Sequence, residues 1–279
     1  MDHSGLAALA IIGAGPAGRA AWSMAARVGI EEVAVLDDGP DLDALVWLVD
    51  GDGTICYSRN GTAHKLTAQY IILAPGTLAR RTANPAAHID HEIPDIQITS
   101  ALRLEHAWDR EQGFWYPRHD ESLASQCARI YLAGGVTGRM GEAVAKWQGR
   151  RAALTIAIHL GHEVSKHDWP DCPPAEVWPA PPSCVAGLED AEIVCPCEGI
   201  SAGDIRRLAA RGCGTVNQAK ALGRSGMGIC QGRRCGLLVG EVLADCLGVD
   251  MAQVGYFQQR WPTSPVSLAQ LSKFAHEDI

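Results

Sequence analysis

The chain has 279 residues, 20% charged and 47% hydrophobic, which excludes disorder as its main character and suits about two domains with buried cores. A net charge of -8 with no basic block excludes a nucleic-acid backbone as partner. No apolar run approaches the roughly 20 residues that cross a bilayer, and the N-terminus lacks a basic secretory start, so the expected compartment is the cytoplasm.

A buried strand is predicted over Leu6 to Ile12, ending in Gly13. An Ala-rich helix follows from about Pro16 to Val28, then a second buried strand over Glu32 to Leu36. Strand, glycine turn, helix and strand within about 35 residues have the order and size of a right-handed parallel βαβ unit. From Ala44 to Ala74, short strands alternate with turn signals at Asp50-Gly51-Asp52-Gly53 and Asn60-Gly61, the pattern of a β-meander inserted into the sheet. Tyr70 to Ala74 reads as a separate buried strand ending at Pro75-Gly76, and residues 77–128 carry no clear period. Ile130 to Ala133 reads as another short buried strand and Gly141 to Leu160 as a long helix. Six prolines between Pro170 and Pro182 hold the chain extended, as a linker or strap. Ile193 to Leu247 reads as a compact helical segment, and a tail with Arg260-Trp261-Pro262 and Pro265 closes the chain.

Two constellations carry chemistry. Gly13-Ala14-Gly15-Pro16-Ala17-Gly18 is G-x-G-x-x-G in the strand-to-helix context that makes it informative. Its first glycine allows the tight turn, its second lets a pyrophosphate approach, and its third lets helix and strand pack. The anion would rest on the free N–H groups of the helix that begins near Pro16. Asp37, about 20 residues on, stands where a carboxylate accepts from a ribose. The bland alternative is a packing turn without ligand.

Cys195-Pro196-Cys197 and Cys230-Gln231-Gly232-Arg233-Arg234-Cys235 form C-x-C followed by C-x4-C, the four thiolates that a [2Fe–2S] cluster or a structural zinc requires. The tight C-x-C pair favours iron over zinc. Gly236 to Cys246 reads as a helix, so the second pair would sit at a helix N-terminus, with Arg224, Arg233 and Arg234 nearby as cluster-stabilising charges or as solvated surface.

These residues carry a resemblance. The Gly13–Gly18 turn, Ile71-Ile72-Leu73-Ala74-Pro75-Gly76, and Ile130-Tyr131-Leu132-Ala133-Gly134-Gly135 with Gly138 and Gly141 resemble the three FAD-domain signatures of pyridine-nucleotide-disulfide-reductase-like flavoproteins. Cys195 to Ile200, Asp204-Ile205 and Gly226 to Arg233 resemble the [2Fe–2S] domain related to bacterioferritin-associated ferredoxin. In particular they resemble the version fused to an FAD domain in one subunit of bacterial opine oxidase, hydrogen cyanide synthase and D-hydroxyproline or proline dehydrogenase complexes, whose tail Arg260-x-Pro262-x-x-Pro265-Val266 also fits.

The resemblance implies an α/β fold: a Rossmann-like FAD-type domain with a β-meander at 1–167, a Pro-rich linker at 168–190, a small helical [2Fe–2S] domain at 191–250 and a tail at 251–279. FAD or another adenine nucleotide would lie on Gly13, Gly15, Pro16, Ala17, Gly18, Asp37, Gly76, Gly134 and Gly135, and the cluster on Cys195, Cys197, Cys230 and Cys235. Where those flavoproteins carry an acid after the second glycine of the last motif, this chain has Gly135. Residues 77 to 132, 56 in all, cannot hold a second dinucleotide domain, so the NAD(P)-binding insert is expected to be missing.

The implied partner is a flavoprotein subunit similar to D-amino-acid oxidase or glycine oxidase, with room in the analogy for a further flavin at the subunit interface, a further small iron-sulfur subunit, and peripheral attachment to the inner membrane. The expected function is that of an electron-transfer subunit of a flavin-dependent amino acid, opine or amine dehydrogenase, with substrate oxidised on the partner. No nucleophile, Ser-His-Asp pattern or carboxylate pair points to substrate chemistry on this chain. The competing readings are a zinc-stabilised docking subunit with a vestigial nucleotide turn, and a self-sufficient flavin reductase. Cys56, Cys127, Cys213 and Cys246 read as buried small hydrophobes, Cys172 and Cys184 as flanks of the proline strap, and His159 with His162 as a solvated helix end.

Overall fold

A computed structural model describes residues 4–37, 43–79, 91–174, 176 and 185–272. The glycine-turn region forms as expected: β1 (Ser4–Ile12), α1 (Pro16–Arg27) and β2 (Val33–Leu36), with β1 and β2 parallel. The meander follows as β3 (Ala44–Val49), β4 (Thr54–Arg59) and β5 (Thr62–Leu73), turning at the Asp-Gly and Asn-Gly pairs. Tyr70 to Leu73 is the end of β5 rather than a strand of its own. The first half of β5 runs antiparallel to β4, its last residues run parallel to β10 (Ile130–Leu132), and β1 pairs along its other edge. The sheet order is β2-β1-β5-β4-β3, with β10 on β5.

Between these strands the aperiodic region forms small pieces: β6 (Thr77–Ala79) paired with β7 (Glu92–Pro94), α2 (Gln97–Ala101), and the hairpin of β8 (His106–Asp109) and β9 (Phe114–Pro117). Residues 80–90 of that region lie outside the described residues.

The alternation of β1 explains how the sheet is covered. Leu9 and Ile11 point to a core shared with α1 and α3 (Glu142–His159), while Ala10 and Ile12 point to one shared with the meander, Ile98, Leu104 and Val136. Helices α1 and α3 pack closely because small residues face each other, so that a Cβ on Gly149 would lie 2.0 Å from the Ala17 carbonyl oxygen. The indole of Trp147 on α3 donates to the Pro170 carbonyl at 3.0 Å, tying the start of the proline segment to the helix. Pro179, Pro181, Pro182 and Cys184 lie outside the described residues.

A further core holds Val185 to Phe257. It is built from the short pair β11 (Ile193–Cys195) and β12 (Ile200–Ser201), then α4 (Ala202–Ala210), α5 (Val216–Gly223), α6 (Gly236–Leu247) and α7 (Met251–Val254). A last turn, α8 (Leu268–Leu271), docks on the meander through Gln270 and Ser58 at 3.0 Å. Asp204 closes a capping box with Ser201 at the start of α4, each side chain bonding the other's backbone N–H. Cys56 and Cys213 are buried as expected, and burial raises the Cys56 thiol to about 11. Cys246 is instead exposed, because it falls in the last turn of α6, beyond the residues that face the core. Cys127 is half-buried. His159 is exposed and stacks on Tyr70 at 5.9 Å. No helix among the described residues is long and apolar enough to cross a membrane.

Candidate functional site: a glycine cradle and a four-cysteine centre

Residues from three distant glycine motifs meet at the start of α1. Gly13 has φ 108° and lies so close to the end of β5 that a Cβ would come within 2.0 Å of the Ala74 carbonyl oxygen. A Cβ on Gly18 would lie 1.8 Å from the Gly13 carbonyl oxygen, whereas one on Gly15, the N-cap residue, meets nothing within 4 Å. The turn is thus packed shut at its first and third glycines and open at its second, where a pyrophosphate would approach. Pro16 opens the helix at its first position, where its missing N–H leaves no helical bond unmade.

Gly134 of the third motif rests on Ala17, where a Cβ added to the glycine would lie 3.0 Å from that of Ala17. Gln148 of α3, fully buried, holds this motif from behind: its Oε1 accepts from the Gly134 N–H at 2.8 Å and its Nε2 donates to Thr137 Oγ1 at 2.8 Å. Asp37 closes β2 and lines a cleft of about 120 Å³ together with Gly13 and Pro75. That is below the roughly 300 Å³ of ordinary small-molecule sites. The cleft is narrowed by Thr263 and Ser264 of the tail and by Arg233.

The set of residues fits a dinucleotide unequally. The turn and Asp37 suit its adenine end. At Gly135, by contrast, a Cβ would come 2.2 Å from the Thr77 methyl, and that side chain is fixed by its hydroxyl donating to Glu92 Oε2 at 2.5 Å. A side chain at position 135, such as the acid of the resembling flavoproteins, would have to displace Thr77. Glu92 brings a carboxylate to this corner by another route. Neither Gln148 nor the Thr77–Glu92 pair carries a motif that sequence reading would single out.

The four cysteines also converge. Cys195 ends β11, Cys197 follows in the turn to β12, Cys230 lies in the loop after α5, and Cys235 is the N-cap of α6. Cys195 and Cys235 are buried, Cys230 is half-buried and Cys197 is exposed. The loops approach closely: a Cβ on Gly228 would lie 2.2 Å from the Cβ of Cys197. The Cys197 thiol faces Cys230 Sγ at 3.5 Å.

Cys197 is raised by holding the proton that it donates to Cys230. Burial works to raise Cys230, but the backbone N–H groups of Arg234 and Gly232, the Cys197 thiol and the Arg234 charge outweigh it, and Cys230 is lowered. Burial raises Cys235, and the neighbouring thiols Cys195, Cys230 and Cys197 add to it. Sulfurs that crowd one another in this way favour a cationic centre among them. As they stand, no three His, Cys, Asp or Glu side chains among the described residues are set to hold a metal ion. Cys197 and Cys230 form one close pair, while Cys195 and Cys235 form a second, buried pair.

The three arginines take different parts. Arg224 pairs with Glu198 at 2.8 Å, and Arg234 lends its charge to Cys230. Arg233 turns away to donate to the Thr263 carbonyl at 2.9 Å.

Residues 190–273 match the family described as the sarcosine oxidase A3 domain. An opine oxidase subunit of Rhizobium meliloti is 31% identical over 201 residues, which is 67% of this chain and 44% of that protein. Hydrogen cyanide synthase subunit HcnB of Pseudomonas aeruginosa is 26% identical over 209 residues, 66% of this chain and 42% of that protein. The chain therefore spans less than half the length of these relatives. The solved L-proline dehydrogenase of P. horikoshii superposes with a TM-score of 0.78 at 14% identity, covering 97% of this chain and 80% of that one, which shows a shared α/β fold.

Proposed function

We propose that the chain is the electron-transfer subunit of a hetero-oligomeric oxidoreductase acting on C–N bonds, with substrate oxidation on a partner flavoprotein. The observation that carries this reading is the meeting of Cys195, Cys197, Cys230 and Cys235 at the N-terminus of α6. Partly positive N–H groups at that helix end, the Arg234 charge and two close sulfur pairs form a donor set suited to an anionic binuclear cluster. A [2Fe–2S] cluster held there would supply one-electron storage, which a two-electron flavin donor needs when its acceptor takes electrons singly. The likeness to opine oxidase and hydrogen cyanide synthase subunits supports the same reading.

The chain's own residues divide the work. Cys195 and Cys235 anchor the centre in the core, while Cys197 and Cys230 present it to solvent. The Gly13–Gly18 turn and Asp37 would hold the adenine end of FAD or of another nucleotide, with Gly134 and Gln148 keeping the first turn of α1 in place. Co-purification from the native host, with flavin, iron and sulfide analysis of every chain recovered, tests the assignment. The expected result is a second, flavin-bearing chain, with iron and sulfide on this one. Recovery of this chain alone, carrying one zinc, would favour the docking-subunit reading.

A further inference from the structure

Beside the cysteine loop runs an open groove of about 450 Å³, large enough for several side chains of a partner. Its walls are α5, the loop at Gly226 and Met227, and the tail from Gln258 to Arg260. Lys220 and Arg260 share it. The Lys220 ammonium is half-buried, donates to the Gln258 carbonyl at 3.3 Å and lies 5.5 Å over the Phe257 ring. Its pKa is lowered first by burial and then by Arg260, so the two cations feel each other.

Among the described residues no carboxylate pairs with them. Asp190, Asp204, Asp250 and Glu198 are taken by Arg206, Arg207, Arg110 and Arg224, and among the described residues Lys220, Arg234 and Arg260 have no carboxylate partner. Residues 185–272 hold eight basic and eight acidic side chains, so the whole of the -8 lies elsewhere in the chain.

Apolar side chains continue this face toward the sulfurs. Met227 lines the groove, and Met227, Ile229 and Leu222 are 50%, 87% and 70% exposed. Met227 and Ile229 belong to the loop that leads into Cys230 and meets the exposed Cys197 at Gly228, the pair from which an electron has the shortest way out. An apolar patch at the redox centre, beside unneutralised cations on an otherwise acidic molecule, has the build of a small encounter surface that charge steers and apolar contact desolvates.

We propose that this face is the docking site of an acidic electron-carrier protein, its carboxylates seated on Lys220 and Arg260 and its redox centre brought over Met227 and Ile229. In each encounter one electron leaves the reduced chain and reduces the carrier by one, and no bond is made or broken. The assignment rests on the electron-transfer reading above, and its test keeps the two apart.

The full chain, with and without iron loading, is titrated with an oxidised acidic [2Fe–2S] ferredoxin and, separately, with basic cytochrome c. The ferredoxin is expected to bind, and to bind at least about tenfold more weakly at about 300 mM salt than at about 20 mM. Lys220→Glu with Arg260→Glu is expected to cost at least about tenfold in affinity at low salt. Lys146→Glu on α3, a reversal far from the groove, is expected to leave binding unchanged, with thermal melts checking that each variant folds. Equal ferredoxin binding by wild type and the double variant, or tighter binding of cytochrome c than of ferredoxin, would overturn the proposal. A chain that takes up no iron defeats the electron-transfer reading instead, and the binding comparison registers that outcome separately.

Discussion

Gly15 and Gly18 are three residues apart in one motif, yet their surroundings give them opposite sensitivities. Gly15→Ala points into open space and is expected to cost less than about 1 kcal/mol of stability. It should lower the amount of nucleotide that co-purifies, because the new methyl stands where a pyrophosphate approaches. Gly18→Ala drives a methyl into the Gly13 carbonyl and is expected to cost about 3 kcal/mol in denaturant unfolding.

His106 offers a test by pH. Its ring is half-buried between Tyr256 and Thr99, with Nδ1 on the Leu104 carbonyl at 2.7 Å, and this desolvation lowers its pKa to about 4. The unfolded chain binds this proton below about pH 6.5 and the folded chain only near 4, so the stability held at neutral pH is lost as pH falls between those values. The loss should approach about 3 kcal/mol, and His106→Asn should flatten the profile in urea titrations at pH 7 and 4.5. The glycines and the four cysteines were legible in the sequence because each motif is contiguous or tightly spaced. Gln148, Thr77, Glu92 and His106 were not, because each acts on residues that only the fold brings near.

The meander's turns were legible from Asp-Gly and Asn-Gly, but β5 reads as two strands because its halves have different neighbours. The half beside β4 alternates in burial, while Ile71 to Leu73, flanked by β1 and β10, is buried throughout. The pieces β6 to β9 are too short for a periodic signal, at three or four residues each.

The tail was legible only as a proline-marked end. In the fold it straps the cysteine loop to the meander: Gln231 donates to the Pro262 carbonyl at 3.2 Å, Arg233 to the Thr263 carbonyl at 2.9 Å, and the Thr263 N–H to the Trp47 carbonyl on β3 at 3.0 Å. Arg233→Ala removes the middle tie, worth about 1 kcal/mol. Hydrogen exchange at the Thr263 amide should quicken, while the β4–β5 ladder amides keep their protection. Unchanged exchange at Thr263 would show that the strap is held by its other contacts.

At the scale of the molecule, two cores flank the sheet and another holds Cys195 and Cys235, with the strap and the β8–β9 hairpin between them. Trp108 of that hairpin packs on the cysteine core, and the Trp115 and Tyr256 rings meet at a tilt of 54° with centroids 5.1 Å apart. The sequence indicated the α/β fold from its motifs. It could not show that the tail reaches back to narrow the nucleotide cleft, since that contact joins residues more than 200 positions apart.

The electron-transfer role turns on what the four sulfurs hold. Iron, zinc and acid-labile sulfide should therefore be measured on anaerobically purified full chain, with electron paramagnetic resonance before and after dithionite. About two irons and two sulfides per chain, silent when oxidised and giving a spin-half signal when reduced, is the expected result. One zinc per chain, or iron-free protein with no signal after reduction, would contradict it.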